Sequence, residues 1–449
     1  MKKMKNFLVA LAILAFVTPA MADDMVTFKG SYDLAAVAAD NVNEQNAKSD
    51  ADLGDSDKFN YFYQRLRMSM KLQPTKGVSA NLRFDFAEGI WGQDQDYGTI
   101  RPSNDDSQLQ VDRAYVDINQ DMFRLRAGIM FLPLGMTQVY RDNQPGIQLT
   151  IKTPTPLSIR LGYVKVNEGI YLIGDRFSRE SDSDDENKDT DRFFIDLSYK
   201  SDSFKINGYY WMQTDGSTGD TDNDGIDDNF KDEPTLMGLT ARTRLGGFDL
   251  VGELATFGGD NGNGVDYTGT QLVVAGTKQL NDSLALGLQT YYSSPQGSGE
   301  QKISEVGNPF AHLDMEFGGA YGWDNAIHAR SNSHVFTSTN PPGGPIPGDL
   351  LNPFKTGTGS IGAGIAAKYK AMEKLTLIGM FDYLVAADDD IDGVTFEFEK
   401  GYNFLTAAVY QLAPNTSLHA TYQNVGADFM DGKDAPSANV MTFRLHMVF

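Results

Sequence analysis

The stretch FRLHMVF, residues 443–449, puts Phe443, Leu445, Met447 and Phe449 on one parity and Arg444 and His446 on the other. Strict alternation marks a β-strand with one apolar and one polar face. The stretch finishes on an aromatic of the apolar face, where soluble domains usually fray into a polar end. What that apolar face touches decides the fold.

The same alternation recurs upstream. Phe62, Leu66, Met68, Met70 and Leu72 oppose Arg65, Arg67, Ser69 and Lys71; Phe193, Ile195, Leu197 and Tyr199 oppose Asp196, Ser198 and Lys200. Leu284, Leu286, Leu288 and Tyr292 oppose Gly287 and Gln289, and Leu375, Leu377, Phe381 and Tyr383 share a side. Counted this way, the chain predicts about 18 strands: 26–35, 58–72, 78–90, 107–118, 123–131, 147–153, 157–167, 192–200, 203–213, 235–245, 248–257, 267–278, 283–292, 360–370, 374–386, 394–410, 416–425 and 438–449. The alternation breaks step at 109–118 and 161–166, where a bulge or a different register is expected. Tyrosines and a tryptophan near strand ends (Tyr199, Tyr209, Tyr210, Trp211, Tyr291, Tyr292, Tyr369, Tyr383, Tyr410 and Tyr422) suit an interfacial girdle or ordinary strand composition.

The connections alternate short and long. Short ones are 74–77, 119–122, 153–156, 201–202, 246–247, the stretch around Asn281-Asp282, 372–374 and 412–415. Long ones are 36–57, 91–106, 132–146, 168–191, 214–234, 258–266, 293–359, 387–393 and 426–437. A soluble sheet has no reason to keep every long loop on one side. A closed antiparallel transmembrane β-barrel does, with short periplasmic turns and long extracellular loops. Such a barrel must close, because an open edge in lipid leaves peptide groups unpaired. The expected fold is therefore all-β, one barrel over 23–449, with the apolar faces against lipid.

The other end of the chain agrees with export. Lys2, Lys3 and Lys5 precede the apolar run Phe7–Val17, and Ala20-Met21-Ala22 is a small-residue cleavage pattern, so residues 1–22 read as a signal peptide. That run is too short for a membrane-spanning helix. The chain has no cysteine, so no disulfide framework is expected. Its 60 acidic residues against 38 basic ones give a formal net charge of −22, which argues against a nucleic-acid partner.

Taken together, the leader, the alternating mature chain and the terminal Phe449 resemble the Gram-negative outer-membrane β-barrels, and more closely the larger porins of 16–18 strands, including substrate-specific and export types. The segment FRLRAGIMFLPLG (123–135) resembles the porin pattern of a basic strand followed by a loop with Pro and Gly. The resemblance implies residence in the cell outer membrane, contact with lipid and lipopolysaccharide, and recognition of Phe449 by the barrel-assembly machinery. It leaves the oligomeric state open. The strand from Val26 follows almost directly on Asp23, which disfavours a plugged, energy-coupled transporter and favours passive movement of a small hydrophilic solute.

With the apolar parity outward, the pore-lining candidates are basic Arg65, Arg67, Lys71, Arg83, Arg113, Arg124, Arg126, Arg160, Arg242, Arg244 and Arg444. Acidic ones are Asp85, Asp117, Asp196, Asp249, Glu253, Asp382, Glu397 and Glu399. The basic residues gather on strands 2 to 5, where a transverse field would lower the barrier for anions. The plainer reading is that these arginines pair with neighbouring carboxylates and make a wide lumen soluble. The 293–359 loop is far longer than usual and too aromatic for disorder, so it is expected to narrow the pore or to cap it from outside.

Asp220, Asp222, Asp224, Gly225 and Asp228 follow a D-x-D-x-D-G-x-x-D pattern similar to thrombospondin-type and dockerin-type calcium loops. Lys231 stands where an EF-hand has its Glu, and a merely solvated acidic loop is the alternative. No other cofactor is implied. No G-x-S-x-G, P-loop or H-E-x-x-H is present, so the sequence offers no enzyme site. The remaining alternative to a pore is a binding or structural barrel: an adhesin, or a sheath for a partner protein.

Overall fold

Alternation along each strand becomes two surfaces in space. The computed structural model describes residues 25–40, 58–90, 109–134, 140–167, 190–215, 233–260, 265–295, 301–302, 359–388, 398–429 and 437–449. The leader, the acidic stretches 179–189 and 220–228 and most of 293–359 lie outside the described residues. The first nine barrel strands are β1 (Val26–Asp40), β2 (Lys58–Thr75), β3 (Val78–Ile90), β4 (Leu109–Asn119), β5 (Phe123–Leu134), β6 (Tyr140–Lys152), β7 (Leu157–Asn167), β8 (Thr190–Lys200) and β9 (Phe204–Asp215). The other nine are β10 (Glu233–Leu245), β11 (Phe248–Asp260), β12 (Tyr267–Asn281), β13 (Leu284–Ser293), β14 (Ser360–Met372), β15 (Leu375–Val385), β16 (Phe398–Ala413), β17 (Thr416–Phe429) and β18 (Ala438–Val448). Each pairs antiparallel with its sequence neighbours, and β1 pairs with both β2 and β18, so the sheet closes into one 18-stranded barrel. Gln301–Lys302 forms a separate two-residue parallel pairing with Tyr267–Thr268.

Closure satisfies the backbone where no water can. Strands of 10 to 18 residues exceed the roughly 9–11 needed to cross hydrocarbon. The outward face is apolar: Phe193, Ile195, Leu197 and Tyr199 are exposed, while Arg192, Phe194 and Asp196 between them are buried. On β18, Phe443 is 57 % exposed and Arg444 only 5 %. The C-terminal aromatic lies on this lipid face at the seam. The Phe449 N–H donates to the Gly30 carbonyl at 3.0 Å and the Gly30 N–H to the Phe449 carbonyl at 2.7 Å. A Cβ on Gly30 would sit 2.4 Å from the Phe449 ring, so a larger residue there would have to displace the terminal ring.

The girdle residues divide. Tyr199, Tyr210, Tyr369, Tyr383 and Tyr410 are exposed on the outer surface, but Tyr209, Trp211 and Tyr291 are buried on the inward parity. Both breaks in step have causes. The β3–β4 register shifts between Arg83 and Phe84, which bulges Asp112 inward. At 161–166 Leu161 is exposed and Val164 packs inside the barrel, but Val166, on the parity of Val164, is exposed again, where the β7–β8 register shifts between Lys165 and Asn167.

One hairpin leaves the wall. β5 and β6 pair along their whole length, from Phe123↔Ile151 to Leu134↔Tyr140. Yet β4 pairs with β5 only up to Ala114↔Ile129, and β7 joins β6 only from Gly146↔Val164. Residues 130–134 and 140–145 thus have no flanking strand. The stretch read from sequence as a long loop, 132–146, is largely this ribbon.

Candidate pore and its lining

The ribbon bends where Gly128 faces Gly146. Gly128 has φ +123°, and a Cβ there would lie 2.2 Å from the Ala114 carbonyl oxygen; one on Gly146 would lie 2.3 Å from that of Tyr163. Two bare backbones at one rung let the hairpin turn in. Its Met130, Leu132 and Leu134 are fully buried against Val164, Phe194, Tyr209, Trp211, Leu236, Ala255 and Phe257, which are inward side chains of β7 to β11. Polar pins hold both edges. Arg160 of β7 donates to the Pro133 carbonyl at 2.7 Å, and Arg113 of β4 donates to Asn143 Oδ1 at 2.8 Å. Asn143 in turn donates to Asp112 Oδ1 at 2.8 Å. The ribbon therefore crosses part of the lumen and reduces its free section.

Around it stands a ladder of guanidiniums, each with a nearby acceptor. Arg67 forks onto Asp85 at 2.6 and 2.7 Å, Arg83 pairs with Asp112, and Arg124 meets Asp117 at 2.9 and 3.1 Å from Nε. Arg126 lies 3.9 Å from Asp117 and over the Tyr115 ring, and Arg160 pairs with Asp196. At the seam, Asp33 accepts from Arg444 Nε at 2.8 Å and from Arg65 at 3.4 Å, with His446 Nδ1 at 2.6 Å. Fork geometry fixes the direction of such pairs, and removing one partner would leave the other charge uncompensated in the wall.

Other candidates are placed differently. Arg242 faces Lys205 and Val251 in register, and Arg244 forks onto Asp249 at 2.9 Å on both arms at the 246–247 turn, well exposed. Glu253 is not part of the basic ladder: it accepts from the Tyr209 hydroxyl at 2.6 Å. Asp382 is held by amides, Gln289 at 2.5 Å and Asn403 at 3.4 Å, and Gln423 extends that chain to Asn403 at 2.7 Å. Glu399 is exposed beside Lys400, and Glu397 lies outside the described residues. Among the described residues no cluster of His, Cys, Asp or Glu is arranged for a metal ion, and the 220–228 pattern is not among them.

Sequence reading missed Lys29, Asp33, Asp112, Asn143, Arg192 and Lys205, as well as the hairpin. Lys29 and Asp33 share the inward parity of β1 and were within reach of the rule applied to β2. Arg192, stacked 4.5 Å over Trp211, sits at a strand start, where parity is hardest to assign.

A family model described as Gram-negative porin matches residues 9–432. Among solved structures, the chain is similar to the outer-membrane protein OpdK of Pseudomonas aeruginosa, with TM-score 0.54, 8% identity, 94% of this chain and 98% of that one covered. It is also similar to OccK11 (OpdR) of the same organism, with TM-score 0.50, 12% identity, and 94% and 95% covered. These likenesses are of fold. No curated protein matches the sequence.

Proposed function

The chain belongs to the Gram-negative porin family, an outer-membrane diffusion channel by fold and family, and from that premise we propose that its pore favours small anions. The observation that carries this is the lopsided lining. Along β1 to β7 and β18 the inward basic side chains Lys29, Arg65, Arg67, Lys71, Arg83, Arg113, Arg124, Arg126, Arg160 and Arg444 outnumber the carboxylates Asp33, Asp85, Asp112, Asp117 and Asp196 that answer them. The opposite wall, β12 to β17, turns inward mostly amides and apolar groups: Gln271, Gln289, Asn403 and Gln423 with Val273, Met380 and Leu405, around the one buried carboxylate Asp382 among the described residues there. Pairing solubilises the ladder, and the unanswered positive charge gives the field its sign. The ribbon presses permeating solutes against that ladder.

Passage is passive, down a gradient. Phe449 on the lipid face is the expected address for the barrel-assembly machinery, and the outer girdle meets lipid and lipopolysaccharide. The test is reversal potential across a planar bilayer under a KCl gradient. An anion-favouring potential that moves toward zero in Arg124→Gln/Arg126→Gln supports the reading. A cation-favouring potential in the parent channel overturns it.

A further inference from the structure

Two cations of the wall stand beside the ladder without an ion pair of their own among the described residues, Lys71 acting on Asp117 only from a distance. Lys29 and Lys71 face the lumen on β1 and β2, and among the described residues neither ammonium makes an ion pair. They stand on two adjacent rungs. One runs Thr27, Lys71, Asn81, Tyr115; the next runs Lys29, Ser69, Arg83, Arg113. These rungs line a cavity of about 460 Å³, the size of a small-solute site. Four cationic side chains border it and no carboxylate does. Asp112, which pairs with Arg83 and lies within electrostatic reach of Arg113, stands behind the lining and not in it, and the hydrogen-bond acceptor of Arg113, Asn143, carries no charge.

Like charges gathered around one hollow repel each other, and the repulsion grows as water is displaced. An anion in the hollow reverses the sign of that energy. The ammonium groups supply compact, freely rotating charge, and the Thr27, Ser69 and Tyr115 hydroxyls supply adjustable hydrogen bonds. A singly charged ion would leave most of this unanswered.

We propose that Lys29 and Lys71, backed by Arg113, form a docking subsite on the pore wall for a small solute carrying a doubly charged oxyanion, either two carboxylates or a phosphate. The subsite rests on the anion-favouring reading above and names the class of solute that pauses there. A pause at a wall site shows as saturable competition with chloride current.

The experiment records chloride current through the parent channel and the Lys29→Gln/Lys71→Gln variant while succinate, or separately inorganic phosphate, is added. Both lysines are exposed and neither makes an ion pair among the described residues, so the variant is expected to fold like the parent. Saturable block in the parent that weakens roughly tenfold in the variant is the expected result, the scale of one charge-assisted contact. Block by one oxyanion and not the other fixes which of the two chemistries the subsite takes. Equal block in parent and variant overturns the site. No block by either anion, with the anion-favouring reversal potential intact, overturns the site and leaves the selectivity standing. A cation-favouring parent removes both.

Discussion

The two inner walls of this barrel solve the same problem in different ways. The β1–β7 wall keeps polar groups buried by pairing opposite charges, as in Arg67 with Asp85 and Arg124 with Asp117. The β12–β17 wall does it with amide chains, as in Gln289, Asp382, Asn403 and Gln423, set among Val273, Ile378, Met380 and Leu405. Paired charge leaves a residue of field that amides do not. The lesson is that selectivity can be local to one wall, while the other supplies shape.

The hairpin joins the comparison because it folds inward from the charged wall onto β7 to β11, and breaking it should have the largest effect. Gly128→Val would force a branched side chain into a left-handed backbone against the Ala114 carbonyl, a strain of at least about 1–3 kcal/mol. The expected outcome is a severalfold drop in refolded, heat-modifiable barrel on electrophoresis. Normal yield together with parental conductance would mean that the bend does not depend on glycine. Leu132→Ala is next. Removing that buried side chain should loosen the ribbon by about 2–5 kcal/mol. Single-channel recordings should then show larger, noisier steps, and unchanged steps would mean that the ribbon does not set the section. Smallest is Asp382→Asn on the amide wall. It keeps volume, and a flip of the Gln289 amide turns its unpartnered Oε1 to accept from the new N–H while Asn403 still donates to the oxygen, so the reversal potential should stay within error of the parent. A shift as large as that of Arg124→Gln/Arg126→Gln would erase the distinction between walls.

What could be read from sequence follows from where lipid acts. Lipid forbids polar side chains on one parity of each strand, so Phe193, Ile195, Leu197 and Tyr199 announced their strand and its outer face. The lumen imposes no such rule. Inside, Phe194, Tyr209 and Trp211 serve as packing for the hairpin, so two of the girdle candidates, Tyr209 and Trp211, face inward. Met130-Phe131-Leu132 carries no clean alternation because the ribbon touches protein rather than lipid, so the pattern predicts a strand end at 131 where β5 runs on to Leu134. The arginines of β2 to β5 were legible as inward, but their partners were less so. Asp112 comes inward through a bulge that parity alone hides, and Asp33 pairs with Arg444 across the seam.

That seam pair sets an order of events. Asp33 and Arg444 are 411 positions apart and almost wholly buried. Contacts of such separation form late, because the chain entropy of closing the loop must be met before they contribute anything. The hairpins from β2 to β17 can assemble from neighbours alone, and the Asp33 carboxylate then waits for Arg444 and His446 to arrive. Capture of that carboxylate is a molecular timestamp for ring completion: a spectroscopic reporter placed at Asp33 or Arg444 would light last, after every reporter on the adjacent hairpins.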